Sequence, residues 1–317
     1  MLLHTAALWN PQSLNTLTNG SVEGMNVTAT NPPSAVLHDG TRIPVTKAGG
    51  GPYLLLPVRT APYDAATAAT MRAWGGDPDL GPTLVNGLTD LCTVIAADYE
   101  GHRLTNPAPA TLTASNVAAD LLAIADAAGA ERFAIYGYSW LAMAALQLAV
   151  RTSRLEGLVM GGFPPIDGPY AAMLAVTRAA HDAAQAAASS PSPATPEAAP
   201  GDWDAEGIQA DPDQTAQFVT LYEDLQMFDD SARQLTIPRL CFVGELDNIV
   251  YGPQWGDTRV VIADAVRDHH DELTAQGWTV GILPGLDHLG AMRGDTVVPL
   301  LRGWLLAGAL SRKGALA

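Results

Sequence analysis

Three residues of this 317-residue chain have the types and the order needed for nucleophilic catalysis: Ser139, Asp247 and His288. A serine hydroxyl is a weak nucleophile near neutral pH. It needs a base within hydrogen-bond reach and a carboxylate that orients the base and stabilises its cation. Gly137-Tyr138-Ser139-Trp140 stands where the apolar run FAIYG meets the helical pattern SWLAMAALQLAVRT, the setting in which a sharp turn lifts a serine above a sheet. Gly137 is small enough to permit that turn. Asp247 lies in GELDNIV after the apolar run LCFVG, and His288 lies in LPGLDHLG after TVGILPG. Glu245, two positions before Asp247, is a rival for the acid.

These residues need elements to carry them. VEGMNVTA at 22–29 and TRIPVTKAG at 41–49 alternate like strands, and YLLLPV at 53–58 reads as a fully buried one. Helical stretches follow at 64–74 and around LVNGLTDL, then the buried strand CTVIAADY, a Pro-rich break and a helix over 115–128. The strand FAIYG, the helix after Ser139 and the strand LEGLVMGG complete a strand–helix–strand unit covered on both faces. Alternation then breaks at Pro164-Pro165 into a helix over 168–188, the Ala/Ser/Pro stretch SSPSPATPEAAPGD and a helix over 213–228. It resumes with IPRLCFVG, a long helix over 257–277, the strand WTVGILPG and a closing helix VVPLLRGWLLAGAL. The expectation is an α/β fold with a mostly parallel, doubly wound sheet. Its core comprises 1–163 and 237–317, interrupted by a helical insertion over 164–236. Ser139, Asp247 and His288 all fall at C-terminal strand ends, the edge of an open parallel sheet where sites form.

The strand order, the turn at Ser139, the late acid and the later histidine resemble the α/β-hydrolase superfamily over about residues 22–310. AGGGPYLLLPV resembles the loop that supplies an oxyanion amide, and DYEGHR (Asp98 to Arg103) resembles the family's Asp-x-x-Gly-x-Gly turn. Two departures stand out. The family's Gly-x-Ser-x-Gly has Leu141 at its last position, and its usual His-Gly after the apolar strand is Pro57-Val58 here. The resemblance implies a Ser139–His288–Asp247 triad and an oxyanion hole made by the backbone N–H groups of Arg59 and Trp140, worth roughly 3 kcal/mol per donor. The inserted segment would be a cap, with an apolar pocket between it and the sheet. Val58, Tyr138, Tyr170, Phe218 and Tyr222 are then the expected substrate contacts. The Arg59 side chain would suit a substrate carboxylate. The implied chemistry is hydrolysis of a carboxylic ester, lactone or thioester without a cofactor or metal. A non-hydrolytic use of the same fold, as a cyclase, lyase or binding protein, is the alternative.

Composition narrows the partners. Lys plus Arg number 17 against 33 Asp plus Glu, and the net charge of -16 opposes nucleic acid and anionic membrane surfaces. The expected partner is a small-molecule substrate; the oligomeric state is left open. Cys92 and Cys241 sit inside apolar runs, as buried thiols rather than a disulfide framework. The N-terminus lacks a signal-like core and no apolar run is long enough to span a bilayer, which points to a cytoplasmic protein. His269, His270, Asp271 and Glu272 are adjacent on a helix and point to different sides, so they read as a solvated face rather than a metal site.

Overall fold

The computed structural model describes residues 33–189, 211–231 and 234–309. The strand expected at 22–29 and most of the Ala/Ser/Pro stretch fall outside these residues.

A hairpin of β1 (Ser34–Val36) and β2 (Arg42–Pro44) leads into β3 (Thr46–Gly49) and β4 (Tyr53–Leu56). Then come α1 (Ala65–Ala73), α2 (Leu80–Leu88), β5 (Thr93–Ala96), α3 (Tyr99–Thr105), α4 (Ala114–Ala127), β6 (Phe133–Tyr138), α5 (Trp140–Ala149) and β7 (Leu155–Gly161). Two helices, α6 (Tyr170–Ser189) and α7 (Pro212–Asp224), separate β7 from β8 (Arg239–Gly244). The remainder is β9 (Asn248–Val250), β10 (Arg259–Val261), α8 (Ala263–Asp268), α9 (His270–Ala275), β11 (Trp278–Leu283), α10 (His288–Met292) and α11 (Gly294–Trp304).

Seven strands form the main sheet in the order β11-β8-β7-β6-β4-β5-β3, all parallel except β3 against β5. The central strands are apolar at successive positions because helices cover both faces. On one face Ile95, Ile135, Leu158 and Val243 pack with α4 and α5; on the other Val94, Ala134, Val159 and Phe242 pack with Leu84 and Leu88 of α2 and Val297 and Leu301 of α11. The chain leaves β4 toward β5 on one side and returns to β6 on the other. A crevice therefore opens at the C-terminal ends of β4 and β6, the switch point where doubly wound sheets bind ligands.

Two expectations differ from the structure. After β5 the chain does not run on as strand through Tyr99: the Asp98 side chain accepts the Gly101 N–H and caps α3. The helix expected over 257–277 is β10, α8 and α9 instead. The β-branched pair Val260-Val261 pairs with β9, and Asn248 Oδ1 accepts the N–H groups of Ile262 and Asp264 at the start of α8. Between β7 and β8, α6 and α7 lie where helices were expected over 168–188 and 213–228. A capping box of Asp211 and Gln214, with Pro212 in the first turn, starts α7.

Candidate active site

Ser139 sits between β6 and α5 with φ 56° and ψ −128°, a conformation that L side chains rarely adopt and that costs about 1–3 kcal/mol. Its N–H donates to Gly161 O (2.8 Å), which ties the turn to β7. A Cβ on Gly137 would collide with the Leu141 carbonyl, so the close strand–helix approach is secured by Gly137, and Leu141 is accommodated as a buried side chain. Trp140 is the first residue of α5, where an N–H has no acceptor inside the helix. Its indole Nε1–H donates to Glu100 Oε1 (3.0 Å), and its ring meets Phe218 of α7 edge-on.

Asp247 and His288 are brought together from the ends of β8 and β11. Any side chain on Gly244 would run into the carbonyls of Leu286 and Asp287, so glycine lets the two loops touch. Leu246 N–H donates to Leu286 O and Glu245 N–H to Leu283 O, which fixes their register. His288 Nδ1 then lies 2.8 Å from Asp247 Oδ1, with both side chains buried. A carboxylate only accepts, so Nδ1 carries the proton and Nε2 is left as the basic nitrogen. Glu245, the rival acid, instead accepts the Gly285 N–H at 2.8 Å and holds the turn before the histidine. His288 Nε2 and Asp247 Oδ2 are buried without a hydrogen-bond partner among the described residues. Buried polar atoms left in this state call for a functional explanation.

Tyr138 has a place that spacing alone does not reveal. Its hydroxyl donates to the His288 carbonyl (2.7 Å), and its ring meets the imidazole edge-on at 5.1 Å. A side chain on Gly161 or Gly162 would strike that ring, so this glycine pair makes room for it. Burial, reinforced by Asp247, pushes the Tyr138 hydroxyl well up and keeps it a neutral donor.

A cavity of about 110 Å³ adjoins the turn. Its walls are the segment after β4 (Val58, Arg59, Tyr63), α1 and α2 (Met71, Leu80), and the turn itself (Gly137, Tyr138, Leu141), with Met292 of α10 closing one side. Of the expected substrate contacts, Val58 and Tyr138 line it. Tyr170, Phe218 and Tyr222 do not: they are buried in packing, Tyr170 on Phe163 and Phe228 and Phe218 on Trp140. The Arg59 guanidinium is committed within the protein. It donates to Asp98 Oδ2 and to the carbonyls of Ala61 and Pro62, and lies over the Tyr63 ring. The Arg59 carbonyl abuts Gly81, where any side chain would collide with it. Burial pushes the Asp98 carboxyl up, against the pull of the Gly101 N–H and Arg59. Tyr63 is pushed up to about 12 by burial and by Asp98 and Glu100.

The sheet order, the strained serine at the switch point and the Asp–His pair at the same sheet edge define an α/β-hydrolase fold. Solved structures of that fold match 86% of this chain. The enol-lactonase from Burkholderia xenovorans LB400 is 16% identical, with a TM-score of 0.54 over 86% of this chain and 100% of that one. The esterase RhEst1 from Rhodococcus sp. ECU1013 is 19% identical, with a TM-score of 0.53 over 86% and 98%. AqDC, described by its ring cleavage of the Pseudomonas quinolone signal, is 15% identical, with a TM-score of 0.57 over 86% and 99%. At these identities the likeness is one of fold. No protein-family profile and no curated protein sequence matches the chain. No helix among the described residues is long and apolar enough to cross a membrane.

Proposed function

We propose that this protein is a serine hydrolase acting on a carboxylic ester, lactone or thioester of a small to medium organic substrate. The observation that carries the reading is the His288–Asp247 pair, buried at the sheet edge where Ser139 is held at positive φ. In this reading His288 Nε2 takes the proton from Ser139 Oγ as the oxygen attacks the carbonyl carbon, and Asp247 stabilises the imidazolium that forms. The tetrahedral oxyanion is met by the N–H groups of Trp140 and Arg59, and the bonds of the Arg59 side chain together with the Gly81 contact hold that backbone in place. Collapse expels the alcohol or thiol with the proton from His288. Water then enters, is deprotonated by the same nitrogen and releases the acid. These steps use the side chains and backbone N–H groups named, together with one water molecule. We further propose that the protein works in the cytoplasm on a small molecule, without nucleic acid or membrane as partner, its net charge of -16 repelling both.

One observation favours a second reading. His288 Nε2 has no hydrogen-bond partner among the described residues, so the serine–histidine link is not closed in this conformation. The same fold is shared by a bottromycin epimerase, BotH, 15% identical with a TM-score of 0.51. A non-hydrolytic enzyme or binding protein would use the same crevice without an acyl-enzyme.

The two readings part on a panel of p-nitrophenyl esters and lactones given to the wild type and to Ser139→Ala at equal concentration. Hydrolysis that falls by at least about a thousandfold in the variant supports the serine mechanism. Equal rates in the two proteins would refute it.

A further inference from the structure

The two residues whose backbone N–H groups are proposed to meet the oxyanion are held through their side chains by one short turn. Arg59 follows β4 in a segment without regular structure, and its Nη1–H donates to Asp98 Oδ2 (3.3 Å). Trp140 opens α5 after β6, and its Nε1–H donates to Glu100 Oε1 (3.0 Å). Asp98 and Glu100 stand two residues apart where β5 gives way to α3. The ends of β6, β4 and β5, neighbours in that order in the sheet, are thus tied together by side chains as well as by the sheet's own hydrogen bonds.

The turn holds both ends at once. Asp98 Oδ1 accepts the Gly101 N–H (3.0 Å) while Oδ2 takes Arg59, so one carboxylate both caps α3 and fastens the segment after β4. Tyr99, between the two acids, is fully buried: its hydroxyl donates to Asp120 Oδ2 (2.7 Å), and its ring lies 6.0 Å from the Trp140 ring. The planar Arg59 guanidinium is spread over Asp98 and the carbonyls of Ala61 and Pro62, which fixes a side chain that is otherwise long and flexible. The two donors differ in how their backbones are set. At Trp140 the turn does it, through Ser139 N–H on Gly161 O and the start of α5. At Arg59 the backbone lies outside any helix or strand, with its carbonyl against Gly81 of α2, so this is the donor with more freedom to lose.

We propose that Asp98 and Glu100 are positioning residues that form a bracket from Trp140 to Arg59, holding the Arg59 backbone N–H at a fixed place relative to that of Trp140. That the two N–H groups meet an oxyanion rests on the hydrolase reading; the bracket itself does not. An oxyanion develops only along the reaction, so a misplaced donor costs the transition state more than it costs bound substrate. Breaking either link therefore lowers kcat and leaves KM nearly unchanged. A carboxylate that served instead by touching the substrate would move KM.

The test compares the full chain as wild type, Asp98→Asn, Glu100→Leu, Glu100→Gln and the Asp98→Asn, Glu100→Leu double variant, with p-nitrophenyl acetate as substrate. In Asp98→Asn the amide oxygen can cap Gly101 or face Arg59 but not both, whereas in Glu100→Gln the amide oxygen still accepts from the indole. The expected result is kcat about tenfold lower in Asp98→Asn and in Glu100→Leu, with KM within about twofold and Glu100→Gln close to wild type. The double variant should fall little further than the single ones, because both substitutions break the same bracket. A second readout needs no turnover: the Arg59 amide, labelled with 15N-arginine and assigned with Arg59→Lys. Its order parameter should drop from about 0.85 toward about 0.6 in both single variants. Unchanged kcat, a change in KM alone, Glu100→Gln as impaired as Glu100→Leu, or an Arg59 amide that keeps its order in either variant overturns the proposal. Should Asp98→Asn fail to fold, Glu100→Leu against Glu100→Gln decides. If the wild type hydrolyses no ester and a fluorophosphonate leaves Ser139 unlabelled, the hydrolase reading falls and the Arg59 amide alone decides the bracket. A labelled Ser139 and active wild type, with kcat indifferent to both substitutions, sink the bracket and leave the hydrolase reading standing.

Discussion

Tyr138 joins the nucleophile's strand to the base by one hydrogen bond and one ring contact, so its hydroxyl can be removed while its packing stays. Tyr138→Phe should lower kcat about fivefold with KM little changed, as expected for losing roughly 1 kcal/mol of positioning. A KM that rises while kcat holds would place Tyr138 on the substrate instead. The thiols offer a second check. Cys92 and Cys241 are fully buried, and burial pushes Cys92 up to about 11 and Cys241 higher still. Neither should react with a thiol reagent in the native protein at pH 8, and both should react in denaturant. At this scale the sequence exposes Ser139, Asp247 and His288 because each follows an apolar strand run. It hides the pairing choice between Asp247 and Glu245, which depends on Gly244 admitting the Leu286-Asp287 backbone.

The β1–β2 hairpin is fastened to α3 and α4 by polar groups in addition to its buried Ala35, Leu37, Ile43 and Val45. Arg103, fully buried, donates to Asp39 (2.8 Å) and Thr41 (2.9 Å), while Asp120 takes the His38 ring and backbone and the Tyr99 hydroxyl. Desolvation pushes the Asp39 carboxyl up, but the bonds from Arg103 and Thr41 outweigh it and hold the group well below the usual carboxylate range. A depressed folded-state pKa gives stability that is present above the unfolded value and is lost as pH falls toward the folded one. Tm should therefore drop as pH is lowered through and below about 4, and Asp39→Asn should flatten that slope while lowering Tm at pH 7. A slope unchanged by the substitution would show that other carboxylates dominate acid unfolding. Periodicity finds the strands of the main sheet and six of the longer helices within a few residues. It misses α3, created by the Asp98 cap, and β10, created by pairing with β9, because both depend on a partner several residues away.

Across the whole molecule, helices α6 and α7 were expected to form a cap with aromatic side chains facing a pocket. The aromatic residues of α6 and α7 are packed inward, and α7 is bound to the core through Gln217, whose buried amide bonds Arg103 O and the Ala108 N–H. A cavity opens beneath the segment after β4. Leu80→Ala should widen it and shift preference toward bulkier acyl or alcohol groups, with changes in kcat/KM of a few-fold up to about thirtyfold. Tyr222→Ala should chiefly destabilise, by about 3–5 kcal/mol in chemical denaturation, with little change in preference. The reverse pattern would return specificity to the insertion. Activation of Ser139 by His288 and Asp247 is open to covalent labelling. Wild-type protein and His288→Ala are incubated with a fluorophosphonate and the modified peptide is identified by mass spectrometry. One phosphonyl group per chain is expected, on Ser139, with labelling at least about a hundredfold slower in the variant. No modification of Ser139 in folded wild-type protein, or equal rates in both, would contradict it.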